Sequence, residues 1–467
     1  MDRNDSVDRF SFLPDALILI IITCLPFKEA VKTSVLSKRW LRLWQSTGNI
    51  DLDENFFVKA GSSGETRATQ RSHFVAFLRF WTENYTEPKV KKYRFVYSNS
   101  PDFHLPAVQH CIKFAVDHRE LTSLDLDFSD PDWDEEDISV NPQTPPHLPA
   151  ITLDKHAVLN SLRLSACNFR VPQSITFSGL KNVCLAWMKI PGSSLYKFLK
   201  LCPSLETLIL RRIWNVGSFD IEAPNLKFLV LDKLSGPEFI SVSAPSLSFF
   251  QYSGLSVYLQ MEYNRTMTEA IFDFSLQPTW DEEGDPEMLY NLLSEVWSVK
   301  VLTVCSYMLQ VVPMAENSLS LQPRLENVTR LVLKTQLHIQ EYYGITFFLN
   351  SCPRLEVLSI DIGPKKIFED WRPPYGMREH PFSSNLWYPA CVESTLKKIE
   401  VKGFKGDDNE ITVLRYLLKY GKVLRHLHIG LSKERGADGI DMESTYRENI
   451  QKLMDHISSP HLQVYVV

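Results

Sequence analysis

The sequence is poor in the features that announce chemistry. Glycine accounts for only 18 of 467 residues, and no cluster of it follows a strand pattern and opens a helix, which excludes a phosphate-cradling loop. No GxSxG, HExxH or kinase signature occurs. The cysteines, Cys24, Cys111, Cys167, Cys184, Cys202, Cys305, Cys352 and Cys391, are scattered, with no CxxC and no Cys/His set at zinc spacing. They read as reduced, buried thiols of a cytoplasmic or nuclear protein. His426 and His428 flank Leu427 on a predicted strand, but a metal needs a third ligand, so they read as surface histidines. His104, His110 and Cys111 lie close together with nothing nearby to orient them. No catalytic residue, metal ligand or cofactor is expected.

Long apolar runs are also missing. A membrane helix takes about 20 apolar residues, and the stretch from Ala16 to Leu25 is half that. Nor does that stretch read as a secretory signal, because Asp2, Asp5 and Asp8 precede it and Lys28-Glu29 follow. Neither sign of charge dominates: a net charge of -6 exerts no global pull toward nucleic acid or an anionic membrane. Lys38, Arg39 and Arg42 form a basic face too small for a nucleic-acid footprint.

What is present begins at Leu13-Pro14 and runs to Trp44. At helical spacing Leu13, Leu17, Ile21 and Leu25 share a face that Ile20 and Cys24 widen, and Pro26 stops the helix. Lys28 to Val35 can form a second helix with Val31 and Val35 at i, i+4. Leu36, Trp40, Leu43 and Trp44 make a third apolar face. Three such short helices carry more apolar surface than they can hide among themselves, so the segment reads as half of an interface.

The string from Asp8 to Trp44 resembles the plant F-box motif. The landmarks are Leu13-Pro14-Asp15, Leu25-Pro26, Ala30-Val31, the run from Thr33 to Trp40, and Leu43-Trp44. Ala16 and the run from Ile18 to Ile22 depart from the acidic and polar residues usual there, which makes the first helix greasier. The resemblance implies docking on a Skp-family adaptor by helix-in-groove packing. Leu13 and Pro14 would lead, Leu17, Ile21 and Leu25 would line the seam, and Val31, Val35, Leu36, Trp40, Leu43 and Trp44 would complete it.

Beyond this head, Asp51 to Phe57 alternates like a weak strand, and Ala60 to Arg71 has the composition of a loop or linker. His73 to Tyr85 is amphipathic, Lys91 to Tyr97 alternates, and Ala107 to His118 returns to helical spacing. From residue 121 a unit Leu-x-x-Leu-x-Leu recurs at Leu121, Leu159, Leu205, Leu226, Leu247, Val328 and Leu355. A period in the twenties with this pattern is that of leucine-rich repeats, each adding one strand to a parallel sheet. Cys202-Pro203 and Cys352-Pro353 end helical segments ahead of strands. Before Leu226 and Leu247 an Ala-Pro leaves almost no room for a helix, so the outer connections should be mixed. Ser129 to Asp137 with the Pro-rich stretch to Pro149, Asp281 to Asp285, and the segment from Pro364 through Trp371, Pro373, Pro374 and Trp387 read as loops.

Cys391 to Ile429 resembles the FBD region that ends many plant F-box/leucine-rich-repeat proteins, with strand, helix and strand in turn. Physically it can cover the open end of the sheet, and Pro460 to Val467 can add a strand. The expected fold is α/β, a three-helix F-box followed by an irregular, ribonuclease-inhibitor-like solenoid with a parallel sheet. Expected boundaries are 8–50 for the helical module, 51–120 for linker and first units, 121–390 for the repeats and 391–467 for the cap. The resemblance implies a non-enzymatic substrate-recognition subunit of an SCF-type cullin-RING ubiquitin ligase. Its partners would be the Skp-family adaptor, through it cullin and RING protein, and a target protein, with neither nucleic acid nor membrane. The alternative is a repeat scaffold or ligand receptor acting without a ligase, and an enzyme ranks third.

Overall fold

Proline and serine punctuate the front of the chain. In the computed structural model Pro14 precedes α1 (Asp15–Cys24), and Leu25 leaves the helix in extended backbone. The structure describes residues 12–25, 27–59, 61–85, 90–98, 104–139, 141, 148, 150–262, 264–281, 284–315, 325–369, 381–382, 389–433, 443–454 and 457–467. Pro26 lies outside them. Helix α2 (Phe27–Lys32) is shorter than the sequence suggests, and Thr33–Val35 form a 3-10 turn instead. Val31 and Val35 therefore do not share a helix face. The Ser37 hydroxyl then accepts from the Trp40 N–H at 3.3 Å and caps α3 (Lys38–Gln45).

The chain divides into two compact units, Met1–Trp214 and Asn215–Val467. In the first, the head runs into β1 (Asn49–Asp53), α4 (Gly64–Asn84), β2 (Lys92–Val96), α5 (Leu105–Asp117), β3 (Ser123–Asp127), β4 (Ser161–Ser165), β5 (Asn182–Lys189), α6 (Gly192–Lys200) and β6 (Thr207–Trp214). The strands lie side by side in chain order and all are parallel. Helix α4 begins inside the stretch expected as a linker. Its early residue Arg71 places Nε 3.1 Å from Glu54 Oε2 in a buried pair, and the Ser98 N–H donates to Glu54 at 2.8 Å. That anchor outweighs the Gly/Ser composition of the segment.

The second unit contains β7 (Phe219–Glu222), β8 (Phe228–Leu234), β9 (Phe239–Ser243), β10 (Phe249–Gly254), β11 (Tyr258–Glu262), β12 (Glu269–Asp273), α7 (Asp285–Glu295), β13 (Val301–Cys305), α8 (Ser306–Val311), β14 (Arg330–Thr335), α9 (Tyr342–Ser351), β15 (Val357–Ile362), α10 (Ala390–Ser394), β16 (Lys398–Phe404), α11 (Asp408–Tyr420), β17 (His426–Leu431), α12 (Glu443–Met454) and β18 (Gln463–Val466). Strands β8, β10 and β12 to β18 line up as parallel neighbours. Where Ala-Pro leaves no room for helices, β7, β9 and β11 take their place and pair with one another in a small parallel sheet. Elsewhere helices form the second layer. Helix α9 meets α8 at Gly344, where a Cβ would stand 2.0 Å from the Leu309 carbonyl oxygen.

The core is built from rows of aliphatic residues in register across the strands. Leu124, Leu162, Val183 and Leu208 form one such row, with Leu126, Leu164, Leu185 and Leu210 beside it, all buried. Removing such side chains from water is the main driving force for stacking the units. The cysteines are free, and Cys24 departs from expectation by standing exposed while most of the others are buried.

The expected surface loops are in part tied down. Trp133 of the first acidic insertion lies against Trp187, ring centroids 5.1 Å apart, and Arg212 Nη2 donates to the Asp137 carbonyl at 2.8 Å. Asp285 is not a loop residue but a buried one opening α7, and it accepts from the Tyr307 hydroxyl at 2.6 Å. In the third insertion, buried Gln310 donates to the Lys366 carbonyl at 3.0 Å and accepts from the Phe368 N–H at 3.1 Å. Trp371, Pro373, Pro374 and Trp387 lie outside the described residues.

Candidate functional site

The run from Ile18 to Ile22 is apolar all round, so the helix has two greasy sides and only one can face inward. Ile18 and Ile22 are that side: both are buried, with Ala30 of α2. Helix α1 packs on α3, and α2 on β1. Trp40, Leu43 and Trp44 are also buried within the chain. Their apolar bodies support the head from inside, and this takes them out of the set of side chains a partner can touch.

The other side of the head is bare. Leu17 is 46% exposed, Val35 85% and Leu36 64%. Ile20 and Leu25 are exposed with them, as is Pro14, whereas Leu13, Ile21 and Val31 are half-buried. Phe12, which the sequence reading passed over, is exposed too. Leu36 precedes α3 rather than riding on it. The start of the head is tied down by Arg39: its Nη2 stands 2.6 Å from Asp15 Oδ1, and it donates to the Leu13 carbonyl.

A cavity of about 300 Å³ opens between the head and the first strands, lined by Ile22, Leu25, Ala30, Asp51, Arg94 and Asp125, so the exposed Leu25 borders this cavity rather than the bare side. Arg94 Nη1 stands 2.8 Å from both Asp51 Oδ1 and Asp53 Oδ2, and its Nε is 3.5 Å from Asp125 Oδ2. Burial pushes the Asp125 carboxyl up to about 6, although Arg163 and Arg94 pull the other way. Its Oδ1 accepts no hydrogen bond among the described residues, with Arg163 Nε 3.9 Å away.

A second surface belongs to the repeats. Residues that alternate with the buried rows of β8, β10 and β12 to β18 point to the opposite face of the sheet. In the second unit that face carries Phe228 and Phe249, register partners with ring centroids 5.9 Å apart. Its far end is charged. Glu400 lies 2.6 Å from both Arg330 Nη2 and Lys398 Nζ and accepts from the Ser359 hydroxyl at 2.8 Å. Burial opposes ionisation there, but these donors together bring the Glu400 carboxyl down to about 2. His426 and His428 do share this face, and the His428 ring stacks on Tyr465 at 4.7 Å. Among the described residues no three His, Cys, Asp or Glu side chains gather to hold a metal, and no helix is long and apolar enough to cross a membrane.

Comparison with known proteins identifies both parts of the chain. A family model described as the F-box domain matches residues 10–50, and one described as the At1g61320/AtMIF1 LRR domain matches residues 149–457. The chain is 32% identical over 452 residues to the F-box protein At3g62230 of Arabidopsis thaliana, covering 95% of each chain. It is 30% identical over 430 residues to the putative F-box/LRR-repeat protein At1g56400 of the same plant, covering 89% of this chain and 87% of that one. The FBD-associated F-box protein At5g22730, also of Arabidopsis thaliana, is 25% identical over 92% of this chain and 90% of its own. An F-box joined to leucine-rich repeats is the make-up of a substrate-recognition adaptor, and F-box domains in general bind Skp-type adaptors. With a helical head of that kind ahead of a parallel repeat sheet, the chain belongs to the plant F-box/leucine-rich-repeat protein family.

Proposed function

We propose that the chain is the substrate-recognition subunit of an SCF-type cullin-RING ubiquitin ligase. The observation that carries this reading is the exposure of Leu17, Ile20, Val35 and Leu36 on a head whose Ile18, Ile22, Trp40, Leu43 and Trp44 are buried within its own chain. Large aliphatic side chains left in water are what the groove of a partner would cover. Leu13 and Pro14, held beside Arg39, lead into that flank. Through the adaptor come cullin and RING protein, while the repeat sheet holds the target. The subunit makes and breaks no bonds itself. Its contribution is to keep a target near a ubiquitin-loaded enzyme, raising effective concentration and fixing orientation.

The test is co-expression with a Skp-family adaptor. The wild-type chain should capture the adaptor and gain soluble yield from it. The double variant Leu13→Ala, Pro14→Ala should lose capture while keeping its circular dichroism. A wild-type chain that captures no adaptor favours a repeat scaffold acting without a ligase, and undiminished capture by the double variant removes Leu13 and Pro14 from the seam.

A further inference from the structure

A cleft of about 670 Å³ opens between the segment 168–173 that follows β4 and the outer flank of α6. Arg170, Lys189, Lys197 and Lys200 line it, and no Asp or Glu does. Among the described residues, Arg170, Lys189 and Lys197 stand in no ion pair. Lys197 and Lys200 occupy the last turn of α6, where a helix end favours cations, and that alone accounts for those two. It does not account for Arg170 and Lys189, which come from a loop and from the end of β5. Bringing like charges together costs energy unless an anion sits among them. In a chain of net charge -6 this is a local reversal of sign.

The cations are exposed, and it is the backbone and rings between them that are held in place. The Arg170 N–H donates to the Ile151 carbonyl at 3.1 Å. Next to it Phe169 packs edge-on against Phe198 of α6, centroids 5.3 Å apart. Lys200 lies over the Tyr196 ring at 5.1 Å. Phe169 and Tyr196 both line the cleft, so its walls combine aromatic surface with positive charge. Its size falls within the roughly 300–1,000 Å³ of small-molecule sites.

We propose that this cleft binds a small phosphorylated organic molecule, its phosphates among Arg170, Lys189 and Lys197 and its body against Phe169 and Tyr196. The guanidinium fork of Arg170 suits phosphate oxygens, and the two lysines add point charge. The proposal does not rest on adaptor docking, and either can fail alone.

The test is calorimetric titration of the full chain with adenosine triphosphate and with inorganic tripolyphosphate at constant ionic strength. One saturable site is expected, with tighter binding of the probe that carries an organic body. Arg170→Ala and Lys197→Ala should each weaken binding about ten-fold, the scale of one charge-assisted contact, with the thermal unfolding midpoint unchanged. Lys300→Ala, on an exposed residue of the second unit, should change nothing. Absence of saturable binding by either probe overturns the proposal, as does binding that Arg170→Ala and Lys197→Ala leave intact. Binding only to a phosphoserine peptide, or only to vesicles carrying phosphoinositide, overturns it as well.

Discussion

Leu17 and Ile18 are neighbours on α1, yet Leu17 is 46% exposed and Ile18 is 0%. Successive helix residues point about 100° apart, and here that angle separates a side chain committed to the chain from one left for a partner. The two should therefore fail differently. Ile18→Ala should cost about 2–5 kcal/mol of stability, as burying less and leaving a cavity does. Leu17→Asp should leave the denaturation midpoint within experimental error and abolish adaptor capture. Urea unfolding and co-purification on the same two variants measure both, and matching behaviour in the two would dissolve the division into inner and outer flanks.

Asp125 faces the cavity behind the head, with its carboxyl raised from 3.8 to about 6 by burial. The folded state then holds this proton more tightly than the unfolded chain. Its contribution to stability is complete below the unfolded value and is lost as pH rises through about 6. Unfolding free energy of wild type less that of Asp125→Asn should grow as pH falls from 7 toward 4. A pH series of denaturant titrations decides it, and a flat or opposite trend counts against the assigned direction.

Gln310 is fully buried, and its amide bonds Lys366 and Phe368 of the third insertion, with its Nε2 also 3.3 Å from the Ser306 carbonyl. Truncation strands the buried Phe368 N–H away from water, a loss of about 1–3 kcal/mol. Gln310→Ala should lower the melting midpoint and expose the peptide bonds after Lys365 and Lys366 to trypsin. Mass spectrometry of a timed digest reports it. A cleavage pattern identical to wild type would mean the amide does not hold the segment.

The repeat strands were readable where leucine fills the rows. Leu180-x-x-Val183-x-Leu185, Met267-x-x-Ala270-x-Phe272 and Val299-x-x-Leu302-x-Val304 keep the same spacing and lie in β5, β12 and β13. Their leucine signature is incomplete, because valine, alanine, methionine and phenylalanine fill the same core. The start of α4 was hidden for another reason. Its Gly/Ser-rich opening is a loop by composition, while Arg71 and Gln70 tie it to distant or preceding residues that no local pattern reveals. In the head, Ile18 to Ile22 offers every face the same hydrophobicity, so which side turns inward is decided by α3 rather than by α1. The basic cleft left no local trace, since Arg170, Lys189 and Lys197 come from separate segments.

The paired ladders of β7, β9, β11 and β8, β10 have a mechanical meaning. In most of this chain, prising one turn of the coil from the next breaks a single ladder of backbone hydrogen bonds and unseats a helix. Along residues 219–262 the outer side is zipped as well as the inner. Any force that stretches the second unit must undo two ladders at once there, so strain is shed to the helix-backed turns that follow β12 and this short stretch travels as a stiff collar.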